Sequence, residues 1–328
     1  VIVARTLASL CLPEDKQIGS PGAPRLGAFL RPIADGTLPA SWRDLSIAVQ
    51  EADYLLALSA AFRDRRLSAP EELTEALKVA RLYIGGFITD QGGIAQLPGR
   101  QKPDFAALER LQPVCRQEAS ILLEQMGYAS ARHGNSLLVI DLGTEAELFG
   151  TGGVALTVGS IPVIINCGRP SDSAVGLIDR MAQWSDALIS APAASSCDLE
   201  PVSPASLRTE TGAEGTFVQI TYSTAQGDMS RSLLLSSDGK ALTAEDNCPS
   251  QDTYLRLHIG QNADTVKNGE AVKILFGQDM EMTASCDTGQ TAIEESVSAW
   301  TDGQVDKVYQ IVMSPCEAAL RWRINWAS

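Results

Sequence analysis

The sequence predicts an α+β protein with an N-terminal helical bundle, a central small α/β layer and a C-terminal antiparallel β domain. Apolar residues recur at helical spacing in residues 41–135, and a strand–helix–strand order follows in 136–190. Period-two alternation with tight turns fills residues 216–328. Residues 1–40 are expected to form an extended arm and 191–215 a linker, because both are rich in Pro, Gly or small polar residues.

The helical region is expected to hold three helices joined by short connections. The first begins near Ser41, and the second has Pro70 in its first turn and ends at Gly85 and Gly86. The third is expected from about residue 104 to residue 126, bent or split at Pro113. Amphipathic helices connected in this way favour a small bundle.

The central layer is predicted from the order of its elements. Residues 137–142, 154–158 and 161–166 are strand-like, and the last segment is apolar enough to be buried on both faces. Residues 171–184 are helix-like, and 187–189 form another short apolar strand pattern. A strand, a helix and a strand in this order favour a parallel βαβ unit.

The C-terminal segment is predicted to be an antiparallel β domain. Asp238-Gly239 and Asn268-Gly269 supply the residues that type I′ hairpin turns require. Regular short strands between such turns favour a sandwich or a barrel. The segments 233–245 and 273–285 repeat a strand, a hairpin and a hydrophobic–Thr–Ala step, which resembles the leaves of fascin-like β-trefoils. A β-trefoil-like fold is therefore the alternative to the sandwich.

Charge is distributed unevenly along the chain, whose net charge is −14. Residues 1–135 hold 15 basic and 15 acidic residues, so the other 11 basic and 25 acidic residues lie in 136–328. Such an acidic segment repels nucleic-acid phosphates, so no direct nucleic-acid partner is expected. No apolar run reaches the roughly 18–20 residues of a spanning helix, so no membrane span is predicted.

The cysteines and histidines exclude a zinc site of the usual spacing. The chain has two histidines and no CxxC pair, so no metal site is predicted. Widely spaced cysteines in an acidic chain favour disulfides and an extracellular or periplasmic location, although a cytoplasmic location stays open. Bridges are considered for Cys11–Cys115, Cys167–Cys197 and Cys248–Cys286 or Cys286–Cys316, and the disulfide candidates are Cys11, Cys115, Cys167, Cys197, Cys248, Cys286 and Cys316.

One pair of residues suggests nucleophilic catalysis. Cys167 follows the apolar strand 162–166, and His133 precedes a glycine upstream. The order His-Gly, strand-Cys, helix and apolar strand resembles caspase-like cysteine peptidases. The resemblance covers about 65 residues and implies Cys167 as nucleophile and His133 as the base that activates it. It departs from the family at Ile165, where an acidic residue is expected.

The sequence carries no other catalytic motif and no cofactor motif, so no cofactor is predicted. This favours a non-enzymatic binding or structural assembly protein in an extracellular, periplasmic, surface-filament or virion setting. Its expected partner is another protein or further copies of itself. The alternative is a caspase-like cysteine hydrolase that uses Cys167 and His133.

Overall fold

The computed structural model describes most of the chain. The described residues are 23–96, 103–113, 126–142, 152–166, 188–190, 204–224, 227–247, 253–278, 280–301, 304–315 and 319–327. The chain forms two compact units. The first comprises Val1–Gly86 and Lys102–Arg116, and the second comprises Phe87–Gln101 and Gln117–Ser328.

The first unit is helical in its described part. Its helices are α1 (Ala23–Ala34), α2 (Leu45–Asp64), α3 (Glu71–Gly85) and α4 (Phe105–Leu111), with a 3-10 turn at Ala40–Arg43. The side chain of Asp44 caps α2 by accepting a hydrogen bond from the backbone N–H of Ser46 at 2.9 Å. Helix α3 packs against both α1 and α2, and α2 also packs against α4.

An aromatic pair fixes the core of the helical unit. The rings of Trp42 and Tyr83 stack with centroids 6.0 Å apart, and both side chains are buried. The Tyr83 hydroxyl donates a 2.7 Å hydrogen bond to the backbone carbonyl of Trp42, which satisfies the polar end of a buried ring.

Within the described residues, α2 is the one helix long and apolar enough to cross a membrane, a property that core helices share.

The second unit consists mainly of β-strands. They are β1 (Tyr128–His133), β2 (Ser136–Asp141), β3 (Val154–Val158), β4 (Ile161–Ile165), β5 (Leu188–Ser190), β6 (Pro204–Gly212), β7 (Gly215–Thr224), β8 (Gly227–Ser236), β9 (Ala241–Asn247), β10 (Thr253–Ile259), β11 (Ala263–Asn268), β12 (Ala271–Phe276), β13 (Met280–Cys286), β14 (Gly289–Thr301), β15 (Gln304–Pro315) and β16 (Ala319–Ala327).

These strands form two eight-stranded antiparallel sheets. The first sheet has the order β1-β2-β3-β4-β10-β15-β14, and β5 also pairs with β10. The second has the order β11-β12-β13-β16-β9-β8-β7-β6. Strand β16 shows why they form: Leu320, Trp322, Ile324 and Trp326 are buried and alternate with more exposed residues. The buried faces of both sheets share one hydrophobic core, which is consistent with a β-sandwich.

The predicted central α/β layer is wrong. Strands β1 to β4 are antiparallel and continue through β10, β15 and β14 in one sheet, so they form no separate layer. The prediction came from a strand–helix–strand order, and the apolar runs of these strands are typical of any sheet buried on both faces. Here residues 87–96 cover the face turned away from the core. For example, Thr157 Oγ1 donates to the carbonyl of Ile94 at 3.3 Å. The predicted helix at 171–184 lies outside the described residues.

The predicted fold class is wrong in its other parts as well. Two eight-stranded sheets that share one core take the place of a small central layer followed by a separate C-terminal β domain, and they also exclude a β-trefoil. Strand β1 begins at Tyr128, inside the range predicted to be helical. Helix α1 lies where an arm is predicted, because Leu26, Leu30 and Ile33 recur at helical spacing and are buried. Strand β6 lies within the predicted linker.

Candidate functional site

The candidate site lies on the face of the first sheet that is turned away from the core. In β10, Leu255, Leu257 and Ile259 belong to the hydrophobic core. Because side chains alternate along a strand, Tyr254, Arg256 and His258 lie on the opposite face. We call this surface the polar face. It continues onto β15 and β14 and consists of Tyr254, Arg256, His258, Gln310, Glu294, Ser296 and Ser298.

The strand register places three of these residues in one row. His258 pairs with Gln310 across β10 and β15, and Gln310 pairs with Glu294 across β15 and β14. The Gln310 Nε2 donates a hydrogen bond to Glu294 Oε2 at 2.7 Å. His258 and Gln310 are buried, whereas Glu294 on the edge strand is exposed. The row therefore runs from a buried imidazole to a solvent-exposed carboxylate.

Arg256 is the most unusual member of the polar face. Its side chain is 7% exposed, and its Nη1 has no hydrogen-bond partner in the part of the chain that the structure describes. The guanidinium lies 5.5 Å from the ring centroid of Tyr254, a cation–π distance. Burial lowers the pKa of Arg256, which the charge of Glu294 partly offsets. The guanidinium stays charged, because arginine is not deprotonated in folded proteins.

Several other buried polar atoms of this face also lack partners among the described residues. They are Gln310 Oε1, Ser296 Oγ and Ser298 Oγ. Buried polar groups in proteins are nearly always hydrogen-bonded, so a group of unsatisfied ones at one place indicates a ligand or ordered water. The polar face thus contains one cation, one imidazole, several neutral hydrogen-bonding groups and, at its edge, the carboxylate of Glu294.

A second polar cluster lies inside the core and is structural. Arg231 Nε contacts Asp246 Oδ1 at 2.7 Å, and Trp322 Nε1 donates to Asp246 Oδ2 at 2.8 Å. Arg231 also donates to the backbone carbonyl of Gly152, which belongs to the segment leading into β3. Burial raises the pKa of the neighbouring Tyr222 hydroxyl above its usual value. Because this cluster faces the core, it ties the two sheets together and offers no surface to a ligand.

The residues predicted from the sequence to form a cysteine–histidine site are placed as follows. His133 ends β1 beside the β1–β2 turn, and its Nε2 lies 2.9 Å from Thr216 Oγ1. Cys167 lies outside the described residues. Strand β4 leads to Asn166 at the end of the sheet opposite His133, because β1 to β4 alternate in direction.

Cys286 is the one disulfide candidate within the described residues, and it is buried in β13. The other six cysteines lie outside them, so the disulfide bridges stay a prediction. Among the residues that the structure describes, no group of three His, Cys, Asp or Glu side chains is arranged to hold a metal ion.

Sequence reasoning missed the polar face as a site. Tyr254, Arg256 and His258 alternate in the sequence as the residues of one strand face do. The usable signal was that all three residues facing one side of this strand are polar. Gln310 and Glu294 join them only through the register of β15 and β14, which the sequence does not reveal.

Comparison with known proteins gives matches at the level of structure. No family model matches the chain, and no curated protein matches it by sequence. The heparan sulfate lyase HepC from Pedobacter heparinus matches 100% of this chain with a TM-score of 0.73 and 13% sequence identity. A structure described as heparinase III matches 87% of the chain with a TM-score of 0.63 and 9% identity.

This chain spans 59% of the length of HepC and 51% of the length of the heparinase III structure. At such low identity the likeness establishes the fold alone. It nevertheless contradicts the prediction of a non-enzymatic assembly protein, because the structural neighbours are polysaccharide lyases. It equally contradicts the alternative, a caspase-like cysteine hydrolase, because the same neighbours are polysaccharide lyases.

Proposed function

We propose that this chain acts in a carbohydrate-processing enzyme that cleaves an acidic polysaccharide by elimination, with the polar face as its site. The observation that carries the proposal is the buried guanidinium of Arg256 with its unpartnered Nη1. The likeness of the fold to polysaccharide lyases supports it. Acidic polysaccharides carry carboxylate or sulfate groups, which a guanidinium binds with charge-assisted hydrogen bonds.

Elimination next to a carboxylate needs two groups that the polar face contains. A cation must neutralise the carboxylate, because negative charge builds up on it when the proton on the adjacent carbon leaves. A base must accept that proton. Arg256 supplies the cation, and His258 lies two residues away on the same face of β10, about 7 Å along the strand.

The reaction balances without water or a cofactor. The His258 imidazole accepts the proton from the carbon that bears the carboxylate, and the electrons of that bond form a carbon–carbon double bond. The bond from the neighbouring carbon to the glycosidic oxygen breaks. The imidazolium then returns its proton to the departing oxygen. Because His258 is fully buried, substrate binding must open this face before the imidazole can react.

The exposed edge of the face gives the direction of approach. Glu294 on β14 is exposed and Tyr254 is half-buried, whereas Arg256 and His258 lie deeper. A saccharide that enters on the side of the half-buried Tyr254 would meet its ring before it reaches Arg256, and such rings stack on sugar faces. We also propose an extracellular or periplasmic location, which a polymeric substrate would require.

Substitution of Arg256 tests the proposal. Cleavage of uronate-containing polysaccharides is followed by the ultraviolet absorbance of the new double bond conjugated to the carboxylate, and binding is followed by calorimetry. Arg256→Ala is expected to abolish cleavage and weaken binding, and His258→Gln to lower kcat by about 100-fold or more with binding retained. The control is Arg323→Ala, which removes an exposed arginine from β16. Near-ultraviolet circular dichroism verifies folding of each variant.

Two results would refute the proposal. One is cleavage that incorporates oxygen from labelled water, since that identifies a hydrolase. The other is that the chain neither binds nor cleaves any uronate-containing polysaccharide, or binds it equally well with alanine at position 256.

A further inference from the structure

A groove in the helical unit forms a second candidate binding site. Helices α1 and α2 both pack against α3, and between them lies a cavity of about 660 Å³. That volume is typical of small-molecule sites. Its walls come from the second half of α1, the segment 37–42 and the first half of α2.

The groove presents two aromatic rings to solvent. Phe29 on α1 is 48% exposed and Tyr54 on α2 is 49% exposed, although large aromatic side chains are usually buried. Gln50 Nε2 donates to the Tyr54 hydroxyl at 3.2 Å, one helical turn away. Two exposed rings facing one cavity form a platform for a flat ligand or a cation.

The same groove contains a carboxylate, Glu51, for which the described residues provide no basic partner. Glu51 is half-buried, and its Oε2 accepts a 2.7 Å hydrogen bond from Trp42 Nε1. Within the described residues no lysine or arginine lines the groove or forms an ion pair with Glu51. A partly buried negative charge beside aromatic faces is complementary to an ammonium group and repels sulfate and carboxylate.

We infer that this groove binds an amino sugar through its protonated amine. Glu51 would pair with the ammonium, and the faces of Tyr54 and Phe29 would pack against the sugar ring and its charge. Thr37, Ser41 and Gln50 line the groove and supply hydrogen-bonding groups for sugar hydroxyls. The polar and aromatic groups together favour a saccharide over a purely aliphatic ligand.

This site is independent of the proposed function. It lies entirely in the helical unit, shares no residue with the polar face and selects the opposite charge. An elimination defect in an Arg256 variant therefore leaves the groove intact, and a groove variant leaves Arg256 and His258 unchanged.

Calorimetry with three probes tests the inference on the whole chain. The probes are a β-1,4-linked glucosamine tetrasaccharide with protonated amines, its N-acetylated counterpart and tetralysine. We expect the glucosamine tetrasaccharide to bind, and Glu51→Gln to weaken its binding about fivefold or more. Glutamine keeps an acceptor for Trp42, so the helix packing is retained. Tyr54→Ala should weaken binding similarly, and Glu109→Gln, at an exposed position on α4, is the control.

Each alternative result overturns the assignment in a distinct way. Equal binding of the N-acetylated sugar shows that the charge is not recognised. Stronger binding of tetralysine, lost in Glu51→Gln, identifies a peptide ammonium as the ligand. Binding unaffected by Glu51→Gln and Tyr54→Ala places the sugar elsewhere, and no binding of any probe refutes the site.

Discussion

At the scale of single residues, the second unit contains two kinds of buried charge. One is an ion pair whose hydrogen bonds are made, and the other is a guanidinium with one nitrogen that has no partner among the described residues. Arg231 and Asp246 have side chains 2% and 0% exposed and form a close ion pair, and Trp322 completes the hydrogen bonds of the carboxylate. Arg256 is nearly as buried, yet its Nη1 has no hydrogen-bond partner among the described residues. A buried donor without a hydrogen bond is costly in a folded protein. We therefore assign the first pair to stability and Arg256 to binding.

Removing the buried arginine tests this assignment. Arg231→Met leaves the buried carboxylate of Asp246 without its cation and should lower the free energy of unfolding by about 3–5 kcal/mol. Urea denaturation measures the loss. Arg321→Ala breaks the exposed pair with Glu245, 2.8 Å apart, and should cost about 1 kcal/mol or less. Equal losses for the two variants would show that burial does not set the energy of the Arg231 pair.

At the scale of elements, the hairpins of the second sheet depend on glycines in different surroundings. Gly239 and Gly269 both have positive φ, +66° and +64°, in the two turns that the sequence predicts. A Cβ at Gly239 would lie 2.0 Å from the carbonyl oxygen of His133, whereas one at Gly269 would meet nothing within 4 Å. The β8–β9 turn is therefore packed against the β1–β2 hairpin, and the β11–β12 turn is free of such contacts.

The two glycines form a matched pair for mutagenesis. Gly269→Ala should cost about 1–2 kcal/mol, the strain of a left-handed alanine. Gly239→Ala adds a steric clash with backbone and should cost about 2–5 kcal/mol in total. Thermal or urea unfolding gives the comparison. If the two alanine variants lose the same stability, the β1–β2 hairpin moves away from the added methyl group, and its contact with Gly239 does not contribute to the cost.

At the scale of the whole molecule, net charge opposes the proposed substrate. The chain carries a net charge of −14, all of it contributed by residues 136–328, and an acidic polysaccharide is also negative. Long-range repulsion acts over a Debye length, which is about 30 Å at 0.01 M salt and about 8 Å at 0.15 M. A direct contact with Arg256 is shorter than either length, so salt weakens the repulsion more than the contact.

Added salt should therefore raise, and not lower, the rate at which this protein associates with an acidic polysaccharide. Association with an acidic polysaccharide is expected to become faster between about 0.01 M and 0.15 M salt, because repulsion is screened. Surface plasmon resonance measures the rate, and a neutral dextran is the control. A rate that falls steeply with salt would instead indicate binding through a basic surface.

The sequence by itself determined local features of this protein. The Asp-Gly and Asn-Gly turns and the period-two strands of the second sheet follow from nearby residues, because φ preferences and hydrophobic alternation act locally. Only the tertiary structure decided the direction and pairing of β1 to β4. Their apolar runs are compatible with any doubly covered sheet, and residues 87–96 provide the cover.

The polar face could not be predicted from the sequence either. Arg256 and His258 are local neighbours on one strand, but Gln310 and Glu294 lie more than 35 residues away along the chain and reach them through strand register. Arg256 is distinguished by its burial and by an Nη1 that has no hydrogen-bond partner among the described residues. Both properties depend on tertiary packing. Local propensity therefore specifies strands and turns, whereas the site depends on long-range pairing that composition and spacing do not encode.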